Sequence, residues 1–166
     1  MNTTTILGLS LAVVFAVSIT GIAFAAGNPI ATSASVTRQG TWTAIVNTDS
    51  PATPNGADYG FAVFGEKGAV VITSHPDAVD SVAQPPVEAF HTHLVTVEHT
   101  GECSSNLAVA TATKNEVGHL SIDGNTITVT NIPDGLTGQL SNHVVSFDIS
   151  LENGRVCVNP TGDINP

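Results

Sequence analysis

The chain has 166 residues, of which 14 are acidic and 4 basic, so its formal net charge is −10. Nucleic-acid binding requires clustered lysine and arginine, and the four basic residues here are scattered along the chain, which excludes that function. An anionic membrane surface would repel the protein for the same reason. The length suits one domain of ordinary size, and the negative charge favours solubility and attracts cations.

The N-terminus is an uncharged apolar segment, residues 6–26, that contains Ala23-Phe24-Ala25, a pattern typical of a signal-peptidase site. We therefore expect residues 1–26 to be a signal peptide and residues 27–166 to form one exported domain. Because about 20 apolar residues can span a bilayer, a retained N-terminal anchor is the alternative. Both interpretations place the domain outside the cell or in the cell envelope, with no other membrane contact.

The rest of the sequence alternates short β-type runs with turn residues, and helix patterns are almost absent. Residues 48–58 are a predicted loop because they are rich in Pro, Gly, Asn and Asp, and residues 75–88 are another because they contain three prolines and show no period. Three hairpin signals are present, at residues 65–68, Gly124-Asn125 and Asn153-Gly154. About eight short strands predict an all-β fold, either a Greek-key-type β-sandwich or a small barrel.

The segment 143–151 has the clearest alternation of apolar and polar residues in the chain. We expect its apolar face and two aromatic residues to be buried: Trp42, Phe61, Val145, Phe147, Ile149 and Leu151. The alternate face should be wetter, and it consists of Ser146, Asp148 and Ser150.

The two cysteines, Cys103 and Cys157, form an even pair in a chain that we expect to be exported. Such pairs are usually disulfides, so we predict a structural bridge between them. The bridge would close a loop of about 55 residues, for which the chain-entropy estimate is ~4 kcal/mol.

The candidate site is the segment 89–99, AFHTHLVTVEH, which contains three of the six histidines. In a strand, His91 and His93 share a face about 7 Å apart, a spacing at which two imidazoles can converge on one metal ion. Imidazole suits both copper and zinc, and we expect copper to be preferred. His99 is about 20 Å from His93 along an extended strand and should take no part. An incidental His-x-His pair on a strand surface is the alternative.

A third ligand has to come from elsewhere in the chain, and His119, Asp123 and His143 are the candidates. His119 and Asp123 occupy alternate positions of the run HLSID, and His143 opens the alternating strand. A role for His143 as a strand-end histidine bonded to a backbone carbonyl stays open. His75 precedes a proline in a predicted loop, and we expect no ligand role for it.

Phe90-His91-Thr92-His93, together with Cys103 and Cys157, resembles the Phe-His-x-His strand and the bridged cysteines of copper–zinc superoxide dismutases and the related CHRD domains. The resemblance implies a β-sandwich with His91 and His93 as copper ligands, and it would give Arg155 a substrate-guiding place. The family's zinc-ligand cluster and its bridging histidine have no counterpart here. The resemblance therefore implies a metal site without dismutase activity.

Other kinds of site lack their sequence patterns. A blue-copper centre needs a thiolate near a histidine and usually a methionine, and Met1 is the only methionine. No Gly-x-Ser-x-Gly motif, EF-hand loop or glycine-rich phosphate loop is present. Two hypotheses follow: an exported protein that binds copper or zinc, and a structural module that contacts an envelope protein without metal or catalysis.

The sequence alone predicts that alanine at His91 or His93 removes copper or zinc binding. It also predicts that His75→Ala and His99→Ala leave binding intact. Metal titration of the four variants checks both statements, and binding by the double variant His91→Ala, His93→Ala would favour the structural module.

Overall fold

The computed structural model describes residues 27–54, 56–75 and 89–165. The predicted signal peptide, residues 1–26, and most of the predicted loop 75–88 lie outside the described residues.

Within the described ranges the chain is almost entirely β-structure, which confirms the all-β prediction. These ranges contain ten strands rather than about eight. The elements are β1 (Ala31–Gln39), β2 (Thr41–Thr48), β3 (Tyr59–Gly65), β4 (Gly68–Ser74), β5 (His91–His99), β6 (Leu107–Ala112), β7 (His119–Asp123), β8 (Thr126–Ile132), α1 (Asp134–Thr137), β9 (Leu140–Glu152) and β10 (Arg155–Ile164). In these parts of the chain, no helix has the length and apolar character needed to cross a membrane.

The strands form two layers. Four of them make an antiparallel sheet in the order β1-β2-β8-β7, and the other six close into a barrel in the order β10-β6-β5-β4-β3-β9. The sheet covers one wall of the barrel, and the main hydrophobic core lies between them. Val46 and Ile127 from the sheet pack in this core with Phe61, Ile72 and Val144 from the barrel, and all five side chains are fully buried.

The predicted turns join neighbouring strands. Residues 65–68 connect β3 to β4, and Gly124-Asn125 connects β7 to β8. Asn153 and Gly154 both have positive φ, 50° and 78°, as the tight turn between β9 and β10 requires. Gly40, with φ 80°, adds a turn that the composition of residues 35–48 did not reveal, and it separates β1 from β2.

The predicted faces of β9 are only partly correct. Phe147 is buried, as is Phe61 on the neighbouring β3, but Val145 and Ile149 are half-buried and Leu151 is 66% exposed. Ser146, predicted on the wetter face, is 1% exposed. The reason is that both faces of β9 are covered: Ser146 points toward the four-stranded sheet and accepts a hydrogen bond from the backbone N–H of Ala31 at 2.7 Å.

Trp42 is half-buried rather than buried. The guanidinium of Arg38 lies over its ring, 5.5 Å from the ring centroid, and also pairs with the carboxylate of Asp134.

Residues 133–135 were predicted only to break a strand, and they begin the single helical turn α1 of the described residues.

The disulfide between Cys103 and Cys157 is present, with Cα atoms 5.6 Å apart, which confirms the prediction. It lies where the barrel closes, because Cys157 pairs with Ala108 in the register of β10 on β6. The adjacent turn is fastened by the carboxylate of Glu152, which accepts a hydrogen bond from the backbone N–H of Ser104 at 2.8 Å. This bond and the hydroxyls of Ser150 and Ser104 lower the pKa of Glu152.

We expect the double variant Cys103→Ala, Cys157→Ala to lose about 4 kcal/mol of unfolding free energy, since the bridge spans 54 residues of sequence. Urea unfolding followed by circular dichroism measures the loss. Reduction of the parent protein should reproduce it. A loss below about 1 kcal/mol would show that strand pairing alone closes the barrel.

We also expect Gly60→Ala to lower the unfolding free energy by about 1–3 kcal/mol through overpacking. A Cβ at Gly60 would lie 2.9 Å from Cζ of Phe147 and would also clash with the backbone oxygen of Ile72. Gly101→Ala is the matched control, because no atom lies within 4 Å of a Cβ there. Equal unfolding midpoints for the two variants would contradict the close packing of β3 against Phe147.

Candidate metal centre

The histidine cluster comes from two adjacent strands of the barrel. β4 pairs with β5 so that Val71 lies opposite His93 and Thr73 lies opposite His91. His75 follows two residues after Thr73, on the same face, because successive side chains of a strand alternate between faces. The pairing therefore carries His75 to the level of His91, although 16 residues separate the two in sequence.

The three imidazole rings are in contact. The ring centroids of His75 and His91 are 4.5 Å apart, those of His91 and His93 are 4.8 Å apart, and those of His75 and His93 are 6.2 Å apart. One potential ligand atom from each residue lies within 4.8 Å of the other two. Among the described residues this is the only group of three or more such side chains.

Backbone carbonyls orient two of the rings. Nδ1 of His91 donates to the carbonyl oxygen of Ala89 at 3.1 Å, and Nδ1 of His93 donates to that of Thr113 at 2.8 Å. A carbonyl oxygen can only accept, so both Nδ1 atoms carry a proton, and in the neutral form of each ring the lone pair is then on Nε2. Histidine ligands in metal sites are held in this way by a hydrogen bond from the second nitrogen.

The ring of His75 is hydrogen-bonded to the ring of His91. Nε2 of His75 lies 2.7 Å from Nε2 of His91. When His91 is neutral with its proton on Nδ1, the Nε2 of His75 is the donor in this bond. Metal binding through that nitrogen therefore requires the proton to leave or to move to Nδ1, so metal uptake competes with protonation.

The spacing of the rings fits a small metal ion. Nitrogens about 2.0–2.1 Å from a tetrahedral zinc lie about 3.3 Å from each other. The Nε2 atoms of His75 and His91 are 2.7 Å apart, and no two potential ligand atoms of the cluster are more than 4.8 Å apart. The spacing expected around a zinc ion lies between these two values. His91 and His93 are 8% and 7% exposed, which limits the freedom of their rings.

Neighbouring groups fix the start of β5, where the site lies. Phe90 packs edge-on against Tyr59, with ring centroids 5.3 Å apart, and burial raises the pKa of Tyr59. On the same face as Phe90, which is opposite to the two histidines, the hydroxyl of Thr92 donates to the carbonyl of Val117 and accepts from its N–H, at 2.9 and 3.0 Å. Packing and hydrogen bonds therefore hold the face of the strand that lies behind the two histidines.

The other predicted third ligands lie elsewhere. His119 and Asp123 are exposed residues of β7, in the four-stranded sheet rather than the barrel. His143 stacks on Phe64 with ring centroids 4.6 Å apart, and its Nε2 bonds to the carboxylate of Asp163 at 2.9 Å rather than to a backbone carbonyl. None of the three belongs to the cluster.

His75, for which we expected no ligand role, lies beside His91 and His93 instead of these three residues. The signal in the sequence was the alternation of Val71, Thr73 and His75, which places all three on one strand face once β4 pairs with β5. The apolar run GAVVITS hid this alternation, because a strand buried on both faces shows no clear period.

The remaining residues of interest are far from the cluster. His99 is exposed at the other end of β5. Arg155 pairs there with the carboxylates of Glu98 and Glu102. Glu98 is about 23 Å from His91 along the strand, so Arg155 is not at the histidine site, where the resemblance would place it.

Comparisons of the chain with protein-family models, curated proteins and solved structures give no match.

Thr113 offers a test of the carbonyl that orients His93. Its hydroxyl accepts a hydrogen bond from the N–H of Leu94 at 3.0 Å, and its N–H donates to the carbonyl of Leu94 at 3.0 Å. We expect Thr113→Val to remove the first bond, loosen the carbonyl and lower zinc affinity roughly tenfold. Thr113→Ser keeps the hydroxyl and should bind zinc like the parent in calorimetry. Parent-like affinity in Thr113→Val would show that this carbonyl does not position the ring.

Proposed function

We propose that the protein binds a divalent transition-metal ion, copper or zinc, through His75, His91 and His93. The observation that supports this most directly is the convergence of three imidazoles, two of them held by carbonyls in the tautomer that ligates through Nε2. Three nitrogen ligands with a fourth position left for another group are typical of zinc sites that exchange a ligand. Copper(II) generally binds such nitrogen sites more tightly than zinc.

The resemblance of the segment 90–93 to copper–zinc superoxide dismutases supports two of these three ligands. The third, His75, comes from β4 in this chain. Because the family's zinc-ligand cluster has no counterpart, we propose metal binding and no dismutation.

We further propose that the domain acts outside the cell or in the cell envelope. The apolar segment at residues 6–26 supports export, and the disulfide suits an oxidising compartment. The net charge of −10 raises the local concentration of cations around the domain. A metal ion, rather than an envelope protein, is the partner that this chemistry favours.

Single alanine variants test the proposed ligands. We expect His75→Ala, His91→Ala and His93→Ala each to weaken zinc and copper binding at least about a hundredfold, because each removes one of three ligands. Competition titration against a chelator measures the affinities. His119→Ala and His143→Ala are matched controls that should bind like the parent. Parent-like binding by the first three variants would leave the structural module as the better description.

The pH dependence gives a second test. Imidazoles ligate metals only when neutral, and as a class they take up a proton near pH 6.5. We expect the zinc affinity of the parent to fall at least about tenfold between roughly pH 7.5 and 5.5. Affinity that does not change over this range would exclude histidine as the dominant ligand.

A further inference from the structure

The barrel strands line a cavity of about 900 Å³ that is partly open to solvent. Its wall consists mainly of apolar side chains that point away from the four-stranded sheet, among them Ala62, Val71, Val95, Val109, Phe147 and Val158. Binding sites for small molecules have volumes of about 300–1,000 Å³ and walls of this composition. The cavity is therefore of the right size for an apolar molecule.

The small side chains of the wall explain why the interior is not filled. Ala62 and Ala69 occupy inward positions on β3 and β4, where larger residues would meet across a closed barrel. Val109 and Val158 are only half-buried, because they face this space. Leaving apolar walls unpacked costs stability, and an apolar occupant would recover part of that cost.

The histidine cluster lies at one end of the cavity. Thr73, His75 and His93 contribute to its wall there. Lys67, in the turn that precedes β4, lines the other end, about 20 Å from Thr73 along the strand. The apolar side chains lie between these ends. An elongated molecule would therefore have its polar group at the metal site and its chain along the barrel.

The proposed metal ion determines which polar group fits. Three neutral imidazoles leave the full charge of a divalent ion uncompensated, and no Asp or Glu of the described residues belongs to the cluster. A buried charge in apolar surroundings needs an opposite charge. An anionic oxygen in the fourth coordination position supplies it.

We propose that the cavity binds an aliphatic carboxylate, with one carboxylate oxygen on the metal and the hydrocarbon chain among the apolar side chains. This inference rests on the proposed metal site. The net charge of −10 opposes anion binding in general, so the metal-free protein should bind such a molecule weakly.

The experiment compares octanoate, octan-1-ol and acetate by calorimetry on the full chain, with and without zinc. We expect octanoate to bind the zinc-loaded protein at least about tenfold more tightly than the metal-free protein, and more tightly than either other probe. Hexanoate, added as a shorter-chain probe, should bind more weakly than octanoate by about fourfold for each missing methylene. Equal binding of octanoate with and without zinc would overturn the role of the carboxylate, and so would equal binding of octan-1-ol. Equal binding of acetate would overturn the role of the cavity.

A cavity-filling variant separates this inference from the metal site. We expect Val109→Phe to bind zinc like the parent but octanoate at least about tenfold more weakly, because the larger ring occupies the chain's space. Leu151→Phe is the matched control, since Leu151 is 66% exposed and lies outside the cavity wall. If Val109→Phe fails to fold, Ala62→Val takes its place. Zinc binding with no octanoate binding would refute this inference alone, whereas absence of zinc binding in the parent would refute the proposed function as well.

Discussion

The antiparallel register of β4 on β5 determines where the three imidazole rings meet. It places Thr73 opposite His91 and Val71 opposite His93, and it brings His75 beside them from beyond the end of β4. A shift by one residue would turn the histidines of one strand to the opposite face, where the main hydrophobic core lies. That core fixes the register, because Val70 and Ile72 on the alternate face of β4 are fully buried against the four-stranded sheet. Packing on the face of β4 and β5 that contacts the four-stranded sheet therefore positions the three histidines on the opposite face.

The barrel wall that the four-stranded sheet covers is packed differently on its two sides. Phe61, Ile72 and Val144 face the four-stranded sheet and are fully buried, whereas the inward side chains include Ala62 and Ala69 and leave a cavity of about 900 Å³. The disulfide closes the barrel at the pairing of Cys157 with Ala108, where strand pairing is shortest. The histidine cluster lies at the start of β5, and the disulfide follows the far end of that strand, so the two are separated along it.

Local patterns in the sequence were enough for the strand-rich fold, the three hairpin turns, the disulfide and the shared face of His91 and His93. Most of these features depend on residues that are close in sequence. The disulfide could be predicted because two cysteines can pair in only one way. The third member of the cluster depends on a long-range pairing, and its strand is apolar on both faces, so periodicity gave no register for His75. Ser146 was assigned to the wetter face because alternation along β9 cannot reveal that a second layer covers the polar side.

We propose that His75, His91 and His93 together ligate one metal ion, with His91 and His93 bound through Nε2. Long-range ¹H–¹⁵N correlation spectroscopy of the histidine rings during zinc titration tests it most directly, because it reports the metal-bound nitrogen of each residue. We predict that the signals of these three rings change together and saturate at one equivalent of zinc, with the proton of His91 and His93 on Nδ1, while those of His99, His119 and His143 stay unchanged. Changes at His119 or His143 in place of the cluster, or ligation of His91 and His93 through Nδ1, would contradict the account.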